Sequence, residues 1–145
     1  MSDIRQLYQR IIVDHANYPH HYGELKTANY KRTCRNPDCG DTISIFALIV
    51  DGQFIDVSFT GNGCIISQAS ASMLMDILIN QSVDVALDRM QSFSKLIMGQ
   101  AVAANDLGDS IAFSTLSEFP TRVRCGALAW HAMSEIINDW STTNG

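Results

Sequence analysis

The stretch DTISIFALIVDGQFIDVSFT, residues 41–60, leaves this chain few folds to choose from. Its first half alternates and then becomes wholly apolar. Asp51-Gly52 supplies the residue pair that tight hairpins favour, and QFIDVSFT alternates again as a returning strand. Around this hairpin the pattern is helical. From Asp3 to about Asn17, Ile4, Leu7, Tyr8, Ile11 and Ile12 recur at helical spacing until NYPHHYG stops the run. Residues 18–35 read as irregular, with one short strand around Tyr30.

After the hairpin, Gly-Asn-Gly at 61–63 breaks the strand pattern ahead of Cys64. SQASASMLMDILIN then reads as a buried helix whose first turns are small enough for close packing. Ser82 caps a further helix that ends at Gly99. Residues 100–118 are mixed and loosely helical, and a long final helix runs from about Thr121 to Trp140. This order predicts an α+β fold, a small antiparallel sheet of about three strands covered by helices. No repeat, low-complexity tract or linker divides it, so residues 1–145 are expected to form a single domain.

Charge narrows the function. The net charge is −5 and the 10 basic residues are scattered, which argues against nucleic-acid binding through a basic face. MSDIRQLYQR has no apolar run of the kind a secretory signal needs, and ASMLMDILI is interrupted by Asp76 and too short to span a bilayer. A cytoplasmic protein with no membrane partner is therefore expected. In that compartment Cys34, Cys39, Cys64 and Cys125 read as metal ligands or reactive thiols before disulfides.

Cys39 is the residue that a turn does not explain. In NPDCGD, Asn36, Pro37 and Gly40 suffice to reverse the chain. If the backbone is extended there, Cys39 and Asp41 face one side, two residues apart. Cys64 lies just ahead of one predicted helix and Cys125 in the first turns of another, where the helix dipole favours thiolate. Three thiolates and a carboxylate suit tetrahedral Zn²⁺. The spacing contains no C-x-x-C pair, however, and buried cysteines that pack as small hydrophobes fit it equally well.

The other candidates carry less. GNGCIIS lacks both the third glycine of a dinucleotide loop and the lysine of a P-loop, so no separate cofactor-binding residues are expected. His20 and His21 read as surface residues, His15 and His131 as packing positions on helices, and Met73, Met75, Met90 and Met98 as core filler. Cys34 is open between a spare thiol, a resolving partner for Cys39 and a ligand competing with Asp41.

LYQRIIVDHANYPHHYG, NPDCGD, FTGNGCIISQASASMLM and FPTRVRCGALAWHAM together resemble the U-type iron–sulfur cluster assembly proteins (IscU/NifU N-terminal-like), and most closely their SufU branch. The resemblance runs from about Leu7 to Trp140. The IscU scaffold type carries LPPVK with a histidine just before the last cysteine. This chain has FPTRVRC, with Arg124 at that position, and a longer interval of 60 residues between Cys64 and Cys125. The resemblance implies the small helix-covered antiparallel sheet of that family. It also implies a zinc-dependent sulfurtransferase that accepts persulfide sulfur from a SufS-type cysteine desulfurase and serves downstream iron–sulfur assembly proteins. Carried over by motif, the metal ligands are Cys39, Asp41, Cys64 and Cys125, the sulfur acceptor is Cys39, and Arg122 matches a basic position nearby. Two alternatives accompany this expectation. One is a scaffold holding iron or a transient [2Fe–2S] cluster on the same ligands; the other is a non-catalytic zinc adaptor that activates the desulfurase.

Overall fold

The computed structural model describes residues 2–37, 40–102 and 107–144, with the side chains of residues 4–37, 40–102 and 107–143. Helix α1 (Ser2–Asn17) is followed by strands β1 (Tyr30–Arg35), β2 (Thr42–Val50) and β3 (Gln53–Asn62), which form one antiparallel sheet in the order β1-β2-β3. Helices α2 (Ile65–Leu78), α3 (Val83–Ile97) and α4 (Pro120–Asn144) follow, with 3-10 turns at Gly108–Phe113 and Leu116–Glu118 between the last two.

Asp51 and Gly52 join β2 to β3 with φ of 53° and 74°, the left-handed pair that a twisted two-residue hairpin requires. One sheet face is fully apolar: Ile43, Ile45, Val57 and Phe59 are buried against Leu74 and Met75 of α2 and Met133 and Ile136 of α4. Phe93 of α3 stacks on Trp130 of α4, ring centroids 3.8 Å apart and planes 2° from parallel. Ala69, Ser70, Ala71 and Ser72 are wholly buried on α2. Their small side chains let α1 and α4 close on that helix. Ser82 caps α3 by accepting the Val85 N–H at 3.2 Å, and Gly99, at φ 85°, follows its C-terminus.

Helix α2 begins two residues ahead of the sequence reading, at Ile65, and ends at Leu78, and two further boundaries differ. Strand β3 continues through Gly61 and Asn62, because the Thr42↔Asn62 and Ile43↔Gly61 pairs extend the ladder beyond the expected break. A Cβ at Gly61 would meet Ile43 Cδ1 at 2.5 Å, so this glycine serves close packing within the strand. The final helix also begins one residue earlier, at Pro120, a residue suited to a first helical turn, and continues to Asn144.

The histidines are more deeply wired than their sequence context suggests. His15 is buried, with Nδ1 2.7 Å from Ser72 Oγ and Nε2 2.8 Å from Asp109 Oδ2. Ser72 Oγ also accepts the His20 backbone N–H at 2.7 Å, and His20 Nδ1 lies 2.6 Å from Asp76 Oδ2. Ser72 donating to Nδ1 and Nε2–H donating to Asp109 satisfies every member. This network ties α1 to α2 and to the Gly108–Phe113 turn. The methionine set divides: Met73, Met75 and Met90 are buried, whereas Met98 is exposed.

Candidate metal centre

The sheet register creates the site. Thr42 at the start of β2 pairs with Asn62 at the end of β3, so Asp41 and the Gly63-Cys64 segment leave the sheet side by side. The loop before Asp41 is closed by two backbone bonds, Asn36 N–H to Asp41 O at 2.8 Å and Gly40 N–H to Asn36 O at 2.7 Å. Gly40 has φ of 76°, so the backbone is turned at that residue rather than extended. Cys39 lies outside the described residues.

Asp41 is buried and both its oxygens engage Cys64. Oδ1 accepts the Cys64 backbone N–H at 3.0 Å, and Oδ2 accepts the Cys64 thiol at 3.3 Å. Cys64 is the N-cap of α2 and its own side chain makes no capping bond. Asp41 therefore supplies the cap from the segment just ahead of β2 and sets a carboxylate against the positive end of the helix. This approach needs Gly63, where a Cβ would lie 2.8 Å from Asp41 Cγ and Oδ1 and 2.5 Å from Ser67 Oγ.

Cys125 arrives from α4 and is buried. Asn36, also buried, donates from Nδ2 to Cys125 Sγ at 3.7 Å. The next residue, Gly126, lets α4 approach: its Cβ would stand 2.5 Å from Leu116 Cδ2. Its carbonyl accepts from Ser70 Oγ at 2.6 Å, and that oxygen in turn accepts the Trp130 indole N–H at 2.8 Å. Helices α2 and α4 are thus locked together beside the thiols.

The result is a cluster from three distant chain segments. One ligand atom each from Asp41, Cys64 and Cys125 lies within 4.8 Å of the others. Two sulfurs and a carboxylate oxygen, with a buried carboxylate among them, form a donor set that fits a borderline divalent cation. Arg122 is exposed in the first turn of α4, and Arg124 is exposed beside Asn36 and Pro37 along an adjoining cavity.

Cys34 stands apart from this cluster. It lies on β1, half-buried, and its thiol donates to Glu135 Oε1 of α4 at 3.3 Å. Burial first, then the Glu135 bond and charge, push this thiol up to about 11, against the opposing pull of Arg32. Sequence reasoning took Asn36 for a turn residue and passed over Ser67, which lies 3.9 Å from Cys64 Sγ and donates to Cys64 O at 3.1 Å. Asn36 reaches Cys125 across 89 positions, which no local signal marks, whereas Ser67 stands three residues after Cys64 in the first turn of α2, a spacing that could have marked it.

Comparison with known proteins agrees with this architecture. The NifU-like N-terminal domain family matches residues 7–126. The iron–sulfur cluster assembly scaffold protein IscU of Streptococcus pyogenes serotype M1 is 37% identical over 138 residues, spanning 94% of this chain and 86% of its own. The zinc-dependent sulfurtransferase SufU of Bacillus subtilis (strain 168) is 34% identical over 136 residues, spanning 92% and 91%. A crystal structure of a candidate iron–sulfur cluster assembly scaffold for the SUF system, from Fervidobacterium islandicum AW-1, superposes with a TM-score of 0.85 at 28% identity, covering 92% of this chain and 98% of that one. With the three-stranded helix-covered sheet and the Asp41, Cys64 and Cys125 cluster in place, these matches show that the chain belongs to the NifU-like N-terminal domain family.

Proposed function

We propose that this protein works in iron–sulfur cluster assembly as a zinc-dependent sulfurtransferase of the SufU kind, receiving sulfur from a cysteine desulfurase. The supporting observation is the convergence of Asp41, Cys64 and Cys125 within 4.8 Å, from segments that only the fold brings together. Cys39, two residues before Asp41, completes a four-ligand set on sequence grounds. Zn²⁺ bound by these four residues would keep the thiols ionised while limiting their reaction with passing oxidants.

The chain's own residues carry the transfer. The Cys39 thiolate attacks the outer sulfur of a persulfide presented by the desulfurase. A new S–S bond forms at Cys39, the S–S bond on the donor breaks, and the donor cysteine leaves as a thiolate, so no external oxidant or reductant is consumed. Arg122, exposed at the start of α4, steers the anionic persulfide towards this end of the molecule. Asp41 keeps Cys64 at the start of α2, and Asn36 keeps Cys125 turned towards the set.

The test incubates the protein with a cysteine desulfurase and cysteine, then locates added sulfur by mass spectrometry. A persulfide on Cys39 is expected. Desulfurase activation without any sulfur on Cys39 would identify a zinc adaptor instead. The 37% identity to a protein named an IscU scaffold favours a second reading, in which the same four residues hold a nascent [2Fe–2S] cluster. Protein that develops visible absorption when supplied with iron and sulfide, and takes no sulfur on Cys39, would support it.

A further inference from the structure

Cys34, His131 and Glu135 form a second convergence of ligand types, away from Asp41, Cys64 and Cys125. One ligand atom from each of the three lies within 4.8 Å of the others. His131 and Glu135 are four residues apart on α4, so they share one face of the helix. Cys34 reaches them from β1, where Tyr30, Arg32 and Cys34 alternate with more exposed neighbours and α4 packs alongside.

The spacing is close to that of coordination. Cys34 Sγ is 3.3 Å from Glu135 Oε1, and His131 Nε2 is 3.7 Å from the other oxygen, Oε2. Metal–ligand bonds of about 2.0–2.3 Å at tetrahedral angles place neighbouring donor atoms roughly 3.3–3.8 Å apart, so a small rotation of the exposed His131 side chain closes the set on one oxygen. An ordinary surface ion pair between His131 and Glu135 would not require a thiol in the same place.

Charge points the same way. Arg32 bonds to Asp139 and lies 3.8 Å from Glu135, so these three groups together carry one net negative charge. Ionising Cys34 makes it two, which a divalent cation neutralises. His131 is also on the lining of the cavity of about 420 Å³ that reaches Asn36, the residue bonded to Cys125. His131 and Asn36 thus line one and the same cavity.

We propose that Cys34, His131 and Glu135 form a second, solvent-facing site for a borderline divalent cation such as Zn²⁺, with a fourth position left to water. On binding, the Cys34 S–H proton passes to solvent as the sulfur–metal bond forms. The site does not depend on the function proposed above.

Zn²⁺ titration of the full chain against a competing chelator tests it. The parent should bind one equivalent more than Cys34→Ser. His131→Ala should weaken that same equivalent at least tenfold. The His131 side chain is 65% exposed, so its loss leaves packing intact and keeps the test readable even if Cys34→Ser proves unstable. In the parent, the His131 imidazole signals should shift in heteronuclear NMR as this equivalent binds, and in Cys34→Ser they should not. Equal stoichiometry and affinity in the parent and either variant would overturn the proposal, whatever occupies the first centre.

Discussion

Asp41 grips Cys64 twice, accepting its backbone N–H at 3.0 Å and its thiol at 3.3 Å. The carboxylate is therefore the cap of α2 as well as a candidate ligand, and its two roles can be separated by substitution. In metal-free protein Asp41→Ala should cost about 1–3 kcal/mol in urea unfolding, because it strands a helix N-terminal donor. Asp41→Cys should hold zinc more tightly, since a fourth thiolate is a softer ligand than a carboxylate. It should also pass sulfur more slowly, because the set loses its most yielding arm. Chelator competition measured beside desulfurase-coupled turnover checks both halves. An Asp41→Cys protein with tighter zinc and parental turnover would refute the yielding role.

Gly63 provides a purely steric test of the same contact. An added methyl would lie 2.8 Å from Asp41 Oδ1, so Gly63→Ala should force the carboxylate aside. Zinc affinity is expected to fall at least tenfold, while circular dichroism of the variant stays that of the parent. Unchanged affinity would mean that Asp41 reaches the metal by another route or not at all.

How far these contacts could be read in advance depends on their range. Asp51-Gly52, the Ser82 cap and the alternation of β2 are local, and each sits where its residues place it. Gly61 was misread as a breaker because pairing with Ile43, a neighbour 18 positions away, decides its conformation. Cys64 and Cys125 were legible as candidates by residue type, but the Asn36–Cys125 and Asp41–Cys64 bonds are set by strand register and helix docking. The His15–Ser72–Asp109 network was hidden for the same reason: its members are 57 and 94 residues apart in the chain.

Cys39 and Cys34 should behave differently. Cys39→Ser is expected to abolish sulfur acceptance in a protein that remains folded, because it removes the proposed nucleophile. Cys34→Ser should leave acceptance nearly intact, since Cys34 faces Glu135 rather than the Asp41 cluster. Equal loss in the two variants would show that their roles are misassigned.

Cys34 also makes a pH prediction in metal-free protein. With its thiol pushed up to about 11, it is almost entirely protonated at neutral pH, and only the thiolate is nucleophilic. Its alkylation rate should therefore climb roughly tenfold per pH unit between pH 8 and 10, below the folded value throughout. Glu135→Gln removes a negative charge that favours the protonated thiol and offers an N–H donor that can serve the thiolate, so that variant should react faster at pH 8. Burial, the largest cause, persists, and the rate should remain below that of an exposed cysteine. A parent rate that levels off near pH 9 would contradict the assignment.

The most direct measurement is the metal retained through gel filtration by protein purified without added metal, read together with the visible spectrum. The zinc assignment predicts at least one zinc per chain and no visible colour. It predicts that Cys34→Ser keeps the zinc of the Asp41 centre, and that Cys64→Ser and Cys125→Ser lose it. Zinc retained undiminished in the latter two variants, or a brown parent protein carrying iron, would contradict it.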